Sequence, residues 1–350
     1  MTSRAPAPAV AAPRRAVPAG ACDSHTHVFG GSEFASGPSP YALPDAPLEV
    51  HAAMRATLGV ARAVLVQPAP YGRDPACLLD ALARGGGALR GVMIADETVA
   101  DATLEAWHAA GVRALRFVEM RAPGGTGRYP GSIGVEALRA LAPRLRALGW
   151  HAHLWASAAQ SAELLPGLAR LGVPVVLDHL AMPAGADDPA FDAVLGHLCE
   201  GTAWVKATLC RVPRAGAGIQ ALRPLQDRLI VANPDRVLWG SDWPYVRMEP
   251  APDAGAMLDL FLGWLNDPDL SRRILGNAQS HARMQDRFAM LVPASQTNAT
   301  MHCPTLRVAH KPQRVGHTFT AEVATASRLQ ASYSGAPARQ EKRCAACRNG

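Results

Sequence analysis

The sequence predicts a single (β/α)8 barrel, and three observations carry that prediction. Short apolar runs alternate with segments of helical period over about 250 residues, and eight such pairs follow one another. The runs are continuously apolar rather than alternating, as strands buried on both faces are. Polar residues collect where the runs stop, which is where a barrel carries its chemistry. An open doubly wound sheet would favour a Gly-x-Gly turn after the first strand. That place is held instead by His25-Thr26-His27.

The first strand leads into Cys22-Asp23-Ser24-His25-Thr26-His27-Val28-Phe29. Side chains two apart on a strand share a face, so two imidazoles point the same way. A Gly/Ser/Pro loop follows, then helical period from Leu48 to Leu58 with Gly59 as its stop. Arg62 to Gln67 is the second strand, broken by Pro68, and Asp74-Pro75 opens a helix that runs to about Arg84. Gly85-Gly86-Gly87 follows a helix rather than a strand, so it is a linker and not a phosphate loop. Strands then run from Gly91 to Asp96, Val112 to Phe117, Trp150 to Trp155, Pro174 to His179, Ala203 to Ala207 and Arg236 to Gly240. Helices fall at Asp101 to Ala110, Val135 to Leu148, Gln160 to Leu171, Ala190 to Glu200, Ile219 to Ala232 and Ala254 to Leu265, the last clear one.

Composition sets the boundaries of function. Hydrophobic residues are 49% of the 350, enough for a large core. The net charge is +6, but eight basic and two acidic residues after position 290 account for all of it, and residues 1–290 are neutral. The body therefore has no basic field for nucleic acid, and no apolar run reaches the ~18 residues of a membrane span. Seven cysteines without framework spacing fit a reduced, cytoplasmic chain. Cys344-Ala345-Ala346-Cys347 has zinc-knuckle spacing but stands alone. Residues 1–20, rich in Ala and Pro and lacking an apolar signal core, are expected to be a disordered leader. Residues 21–279 form the barrel domain, and residues 280–350 an irregular basic tail, either a disordered extension or the product of a shifted reading frame.

The strand ends, in order, offer His25 and His27, Gln67, Asp96, Arg116, His153 and Trp155, Asp178 and His179, Lys206, and Asp242. Asp96 and Asp178 also suit loop bracing. Lys206 in an apolar strand needs a partner, most simply a carboxylate at the barrel mouth, and catalytic and structural roles are both open. Arg116 wants an anion, either Glu119 or a substrate carboxylate. His51, His108 and His197 fall in helices and are read as solvent-facing.

Taken together, Cys-Asp-Ser-His-Thr-His-Val-Phe-Gly, Val-Leu-Val-Gln-Pro, Leu-Asp-His-Leu, Trp-Val-Lys-Ala-Thr and Leu-Trp-Gly-Ser-Asp-Trp-Pro resemble the amidohydrolase superfamily. More narrowly, they resemble its lactonase branch around 2-pyrone-4,6-dicarboxylate lactonase. The resemblance covers about Cys22 to Leu275 and implies a TIM barrel that opens a lactone by water attack. Asp242 would be the general base, and His25, His27 and His179 would surround the carbonyl. It implies either no cofactor or one divalent metal, Zn or Mn, on His25, His27, His179 and Asp242, with His153 as an added donor. Arg116, Arg121, Tyr41, Trp155, Arg211 and Gln67 would bind the substrate, a small carboxylated lactone. Trp155 and Ala69 stand where the branch has hydroxyl donors, so the pyrone dicarboxylate itself is not the expected substrate. Metal-dependent decarboxylation of an aromatic acid and lactone isomerisation are the alternatives within the superfamily. A homo-oligomer is open, and neither nucleic acid nor membrane is an expected partner.

Overall fold

The computed structural model describes residues 4–288 except 35, 38, 40, 123–126, 186 and 213–217. These residues belong to one compact unit, Met1–Cys303. Of the expected irregular tail, residues 280–350, the part beyond 288, including the Cys344/Cys347 pair, lies outside the described residues.

Eight parallel strands run in chain order: β1 (Cys22–Thr26), β2 (Arg62–Val66), β3 (Leu89–Met93), β4 (Val112–Val118), β5 (His151–Trp155), β6 (Val175–Leu177), β7 (Ala203–Ala207) and β8 (Val237–Trp239). Each pairs with the next. The chain just past β8 closes the ring. Asp242 N donates to His25 O at 2.8 Å, His27 N donates to Trp243 O at 3.0 Å, and Thr26 bridges Trp243 in parallel. The bonds that close the barrel therefore also set Asp242 beside the His pair. Gly240 permits the approach, since a Cβ there would meet His25 Cβ at 2.8 Å.

Helices α1 (Leu48–Leu58), α2 (Ala76–Arg84), α3 (Asp101–Ala109), α4 (Val135–Ala147), α5 (Ala158–Ala169), α6 (Pro189–Cys199), α7 (Arg223–Ala232) and α8 (Ala254–Leu265) cover the outside of the ring. The main core lies between the two layers: Leu65, Leu115, Phe117, Leu154, Leu177, Val205 and Trp239 face Leu78, Leu138, Leu141, Leu165, Phe191 and Phe261. Two small apolar groups, Val66/Val92/Ala114 and Val176/Trp204/Leu238, are separate from that core. β1 carries a register irregularity between Asp23 and Thr26. Bulges of this kind re-aim side chains next to active sites. Asp23 Oδ1 accepts from His25 N at 3.1 Å and from Ser241 N at 2.9 Å, tying β1 to the end of β8. Burial pushes the Asp23 carboxyl up to about 6 against the pull of the Ser241 bonds.

Three expectations are corrected. The leader from Arg4 onward is laid along the barrel rather than disordered. Ala5–Pro6 pairs with Pro44–Asp45, Ala11 N donates to Asp253 at 2.7 Å, and Arg14 N and Arg15 N donate to Asp259 at 2.8 Å. Val10 and Val17 pack on the core, so a few apolar contacts and α8 carboxylates order a segment whose composition reads as unfolded. A further helix, α9 (Pro268–Phe288), follows α8. Asp267 caps it by accepting from Asp269 N and Leu270 N, and Ile274 and Leu275 are buried. His51, expected to face solvent, is fully buried against Thr26 Oγ1 at 3.0 Å. No helix of the described residues is long and apolar enough to cross a membrane.

Candidate active site

The strand ends enclose a pocket whose lining includes His27, Tyr41, Arg116, Trp155, His179, Arg211 and Asp242. Asp242 sits at its floor with φ +65°, a left-handed conformation that Asp and Asn tolerate better than most residues. Its Oδ1 lies 3.2 Å from His27 Nε2 and 3.5 Å from His25 Nε2. Its Oδ2 accepts from Arg211 Nε, while Arg211 Nη1 donates to Val246 O at 2.6 Å. Burial alone would raise the Asp242 carboxyl, but Arg211, helped by the imidazoles, holds it well below the usual carboxylate range. His179 is 4.9 Å from His25 between ring centroids, and burial lowers it to about 4, so it is neutral at pH 7.

Beneath this layer lies a second one. Lys206, with no exposed surface, sits 3.0 Å from Asp178 Oδ1, 3.0 Å from His25 Nδ1 and 2.8 Å from His153 Nδ1. Burial lowers its ammonium to about 8 against the pull of Asp178, the carboxylate that pairs with it. Asp178 also meets Arg116 Nη2 at 3.4 Å. Burial opposes its ionisation, but Lys206 and its neighbours hold it well below the usual range. Arg116 lies over the Trp155 ring at 5.4 Å, and Trp155 stacks on Tyr129 at 4.9 Å.

The structure brings His25, His27, His179 and Asp242 together, and Tyr41, Arg116, Trp155 and Arg211 line the same pocket. Three expectations about side chains fail. Gln67 does not line the pocket. Its amide donates to Gly72 O and Asp74 O at 2.7 and 2.9 Å and its Oε1 accepts from Ile94 N, so it braces the loops after β2 and β3. Arg121 is exposed and lies outside the lining, because it falls in the loop beyond β4. Glu119 does not meet Arg116; it pairs with Arg128 and accepts from Val135 N at the start of α4. His153 belongs to the Lys206 layer and not to the cluster around Asp242. Asp96 caps its own loop through Thr98 and pairs with Arg73. Lys206 and Asp178 carry more of the site than strand-end position suggested; the available signal was a lysine inside an apolar strand. Tyr129 and Arg247 also line the pocket, and nothing in their sequence context points there.

The family model described as amidohydrolase matches residues 22–278. The chain belongs to the amidohydrolase family. The 2-pyrone-4,6-dicarboxylate hydrolase of Comamonas testosteroni is 33% identical over 280 residues, covering 75% of this amidohydrolase and 90% of the relative. The 4-sulfomuconolactone hydrolase of Rhizobium radiobacter is 30% identical over 274 residues, covering 74% and 88%. Among solved structures, an apo protein from Agrobacterium tumefaciens superposes with a TM-score of 0.68 at 25% identity, covering 77% of this chain and 98% of that one. A Pseudomonas putida protein proposed to be a 2-pyrone-4,6-dicarboxylic acid hydrolase gives 0.64 at 30%, covering 76% and 98%.

A single divalent ion is the cofactor question for this amidohydrolase. Spacing admits one: His25, His27 and Asp242 offer donor atoms within 4.8 Å of one another, as do His25, Asp178 and His179. No one group of that kind contains all four expected ligands. His27 aims Nε2 at the shared centre, with its Nδ1 donating to Val66 O at 2.7 Å, but that Nε2 is already paired with Asp242 Oδ1 at 3.2 Å. Lys206 Nζ lies 3.0 Å from His25 Nδ1, and an ammonium there calls for the ring proton on Nε2, the atom that faces Asp242 and would have to bind the metal. As arranged, the donor set does not fit a metal.

Proposed function

We propose that this amidohydrolase opens a carboxylated lactone by attack of an Asp242-activated water on the ester carbonyl. One observation carries the reading. Asp242 is kept ionised at the floor of an arginine-lined pocket, with one oxygen committed to Arg211 and the other facing His25 and His27. The two relatives at 30% identity or more that are named above are both lactone-type hydrolases, which supports the same choice over decarboxylation.

The steps follow from the geometry. Oδ1 of Asp242, the oxygen not bound by Arg211, takes a proton from water as the water oxygen bonds to the carbonyl carbon. The carbonyl π electrons move onto oxygen. Imidazole N–H groups of the cluster, His25 Nε2 among them, donate to the oxyanion that forms. Collapse breaks the bond to the ring oxygen, and the Asp242 carboxylic acid returns its proton to that leaving oxygen. Water is consumed and one chain bearing an acid and a hydroxyl results. Arg116, above Trp155 and beside the cluster, is placed to meet a substrate carboxylate. Trp155 and Ala69 contribute apolar wall where a hydroxyl-bearing pair would favour a more polar ligand.

The test is a panel of matched lactones, with and without a carboxylate, read by proton release in a pH indicator. Turnover confined to carboxylated members supports the reading. Acid release from none of them, or carbon dioxide release from aromatic acids instead, removes it.

A further inference from the structure

Lys206 is the only lysine before residue 311 in a chain that otherwise draws its body cations from arginine. It is also fully buried, next to last in β7. Its chemistry differs from that of a guanidinium. An ammonium presents three hydrogens from one point, whereas arginine spreads its donors over a planar fork. Here three acceptors converge on that point: Asp178 Oδ1 at 3.0 Å, His25 Nδ1 at 3.0 Å and His153 Nδ1 at 2.8 Å.

An ammonium cannot accept a hydrogen bond, so each contacted ring nitrogen must offer a lone pair. Neither His25 nor His153 can then be an imidazolium, and each carries its proton on Nε2. His153 passes its Nε2–H to His151 Nε2 at 3.0 Å. His25 Nε2 is buried without a hydrogen-bond partner among the described residues, 3.5 Å from Asp242 Oδ1. The opposite tautomer would look to Asp178, whose Oδ1 is 3.3 Å from His25 Nδ1 but makes no hydrogen bond to it in this geometry. Lys206 and Asp178 thus favour different protonation sites on one ring, and the nearer contact is the lysine.

We propose that Lys206 is a positioning residue whose ammonium holds His25 in the Nε2–H tautomer, so that this hydrogen faces Asp242 and the reacting carbonyl. The same hydrogen closes Nε2 to a metal ion. The proton's position does not depend on the reaction; its use on an ester oxygen rests on the proposed lactone opening.

The test uses the full chain labelled with 15N-histidine and long-range 1H–15N correlations at neutral pH, with His25 identified by its loss in His25→Asn. The expected pattern is Nε2-protonated for both His25 and His153; a proton on Nδ1 of His25 overturns the proposal. In Lys206→Met the His25 proton should move to Nδ1, toward Asp178. kcat should fall about 10²-fold with KM little changed, the scale of one lost oxyanion donor. An unchanged Nε2-protonated His25 in that variant shows that Lys206 does not select the tautomer and sinks the idea. Should Lys206→Met fail to fold, the wild-type spectrum still decides, because an Nδ1 hydrogen cannot coexist with an ammonium 3.0 Å away. Should no lactone be turned over, the spectra stand and only the proposed reaction fails.

Discussion

Replacing Arg116 with Met should separate charged from neutral substrates. Arg116 is 6% exposed, its guanidinium lies over Trp155, and its bond to Asp178 is long at 3.4 Å. Its Nε has no hydrogen-bond partner among the described residues. A buried guanidinium so loosely held keeps donors for a substrate carboxylate. A charge-assisted contact is worth roughly 1.5–3 kcal/mol, so KM for a carboxylated lactone should rise about 10- to 100-fold in Arg116→Met. A neutral lactone of the same size should change little. The stability cost should be about 1–3 kcal/mol, from the lost stacking and the weak Asp178 bond. It is not larger because Asp178 keeps Lys206 at 3.0 Å and is not left unpaired. The assay is steady-state kinetics on the matched pair beside a melting curve. Equal losses on charged and neutral lactones, with a much lower melting temperature, would refute the reasoning and make Arg116 a partner of Asp178 alone.

Asp242→Asn should keep the fold, since Asn is near-isosteric and accepts the left-handed φ of +65°, but lose at least ~10²-fold in kcat; near-normal turnover removes Asp242 as the base. Prolonged chelation should leave activity unchanged, because the His25 proton faces the would-be ion; loss on chelation with recovery on adding Zn or Mn would contradict that. Burial lowers His51 to about 3 with help from Arg55, so the unfolded chain gains a proton near pH 6.5 that the folded one refuses. Stability should therefore fall as pH drops from about 6.5 toward 3, and His51→Gln should flatten that part of the melting-temperature profile; parallel profiles in the two proteins would count against it.

The barrel was legible because strands buried on both faces leave continuous apolar runs, and because glycines such as Gly59, Gly111 and Gly149 mark where helices give way. Its closure was not. The Thr26–Trp243 bridge joins residues 217 apart, and no local pattern announces it. Strand-end position placed His25, His27, His179 and Asp242 among the candidates, but only the resemblance to the amidohydrolase superfamily singled those four out. Position failed for Gln67, whose amide is drawn back to carbonyls of its own turn at Gly72 and Asp74. It failed for Arg121 because a loop residue past a strand end has no fixed direction. His51 shows the converse: α1 offered one face to the barrel, and only the packing of Trp243 at 5.9 Å reveals that the imidazole is on it.

The site is built in two layers, and the lower one explains the upper. Arg116, Arg211 and Lys206 bring three cations to the two carboxylates of Asp178 and Asp242. Arg116, Arg211 and Arg247 line the pocket against the carboxylate of Asp242, so with His179 neutral the pocket is net positive. A positive pocket lowers the cost of developing an oxyanion and attracts a carboxylated substrate, but it also weakens Asp242 as a base. The arrangement meets that conflict by dividing the carboxylate: Arg211 takes Oδ2, and Oδ1 faces imidazoles. Lys206, one layer below, sets the proton of one of those imidazoles without touching the pocket itself. A single buried ammonium thereby couples the acidity of the lower layer to the hydrogen-bond donor that the reaction needs, which is why loss of Lys206 should be felt in kcat and loss of Arg116 in KM.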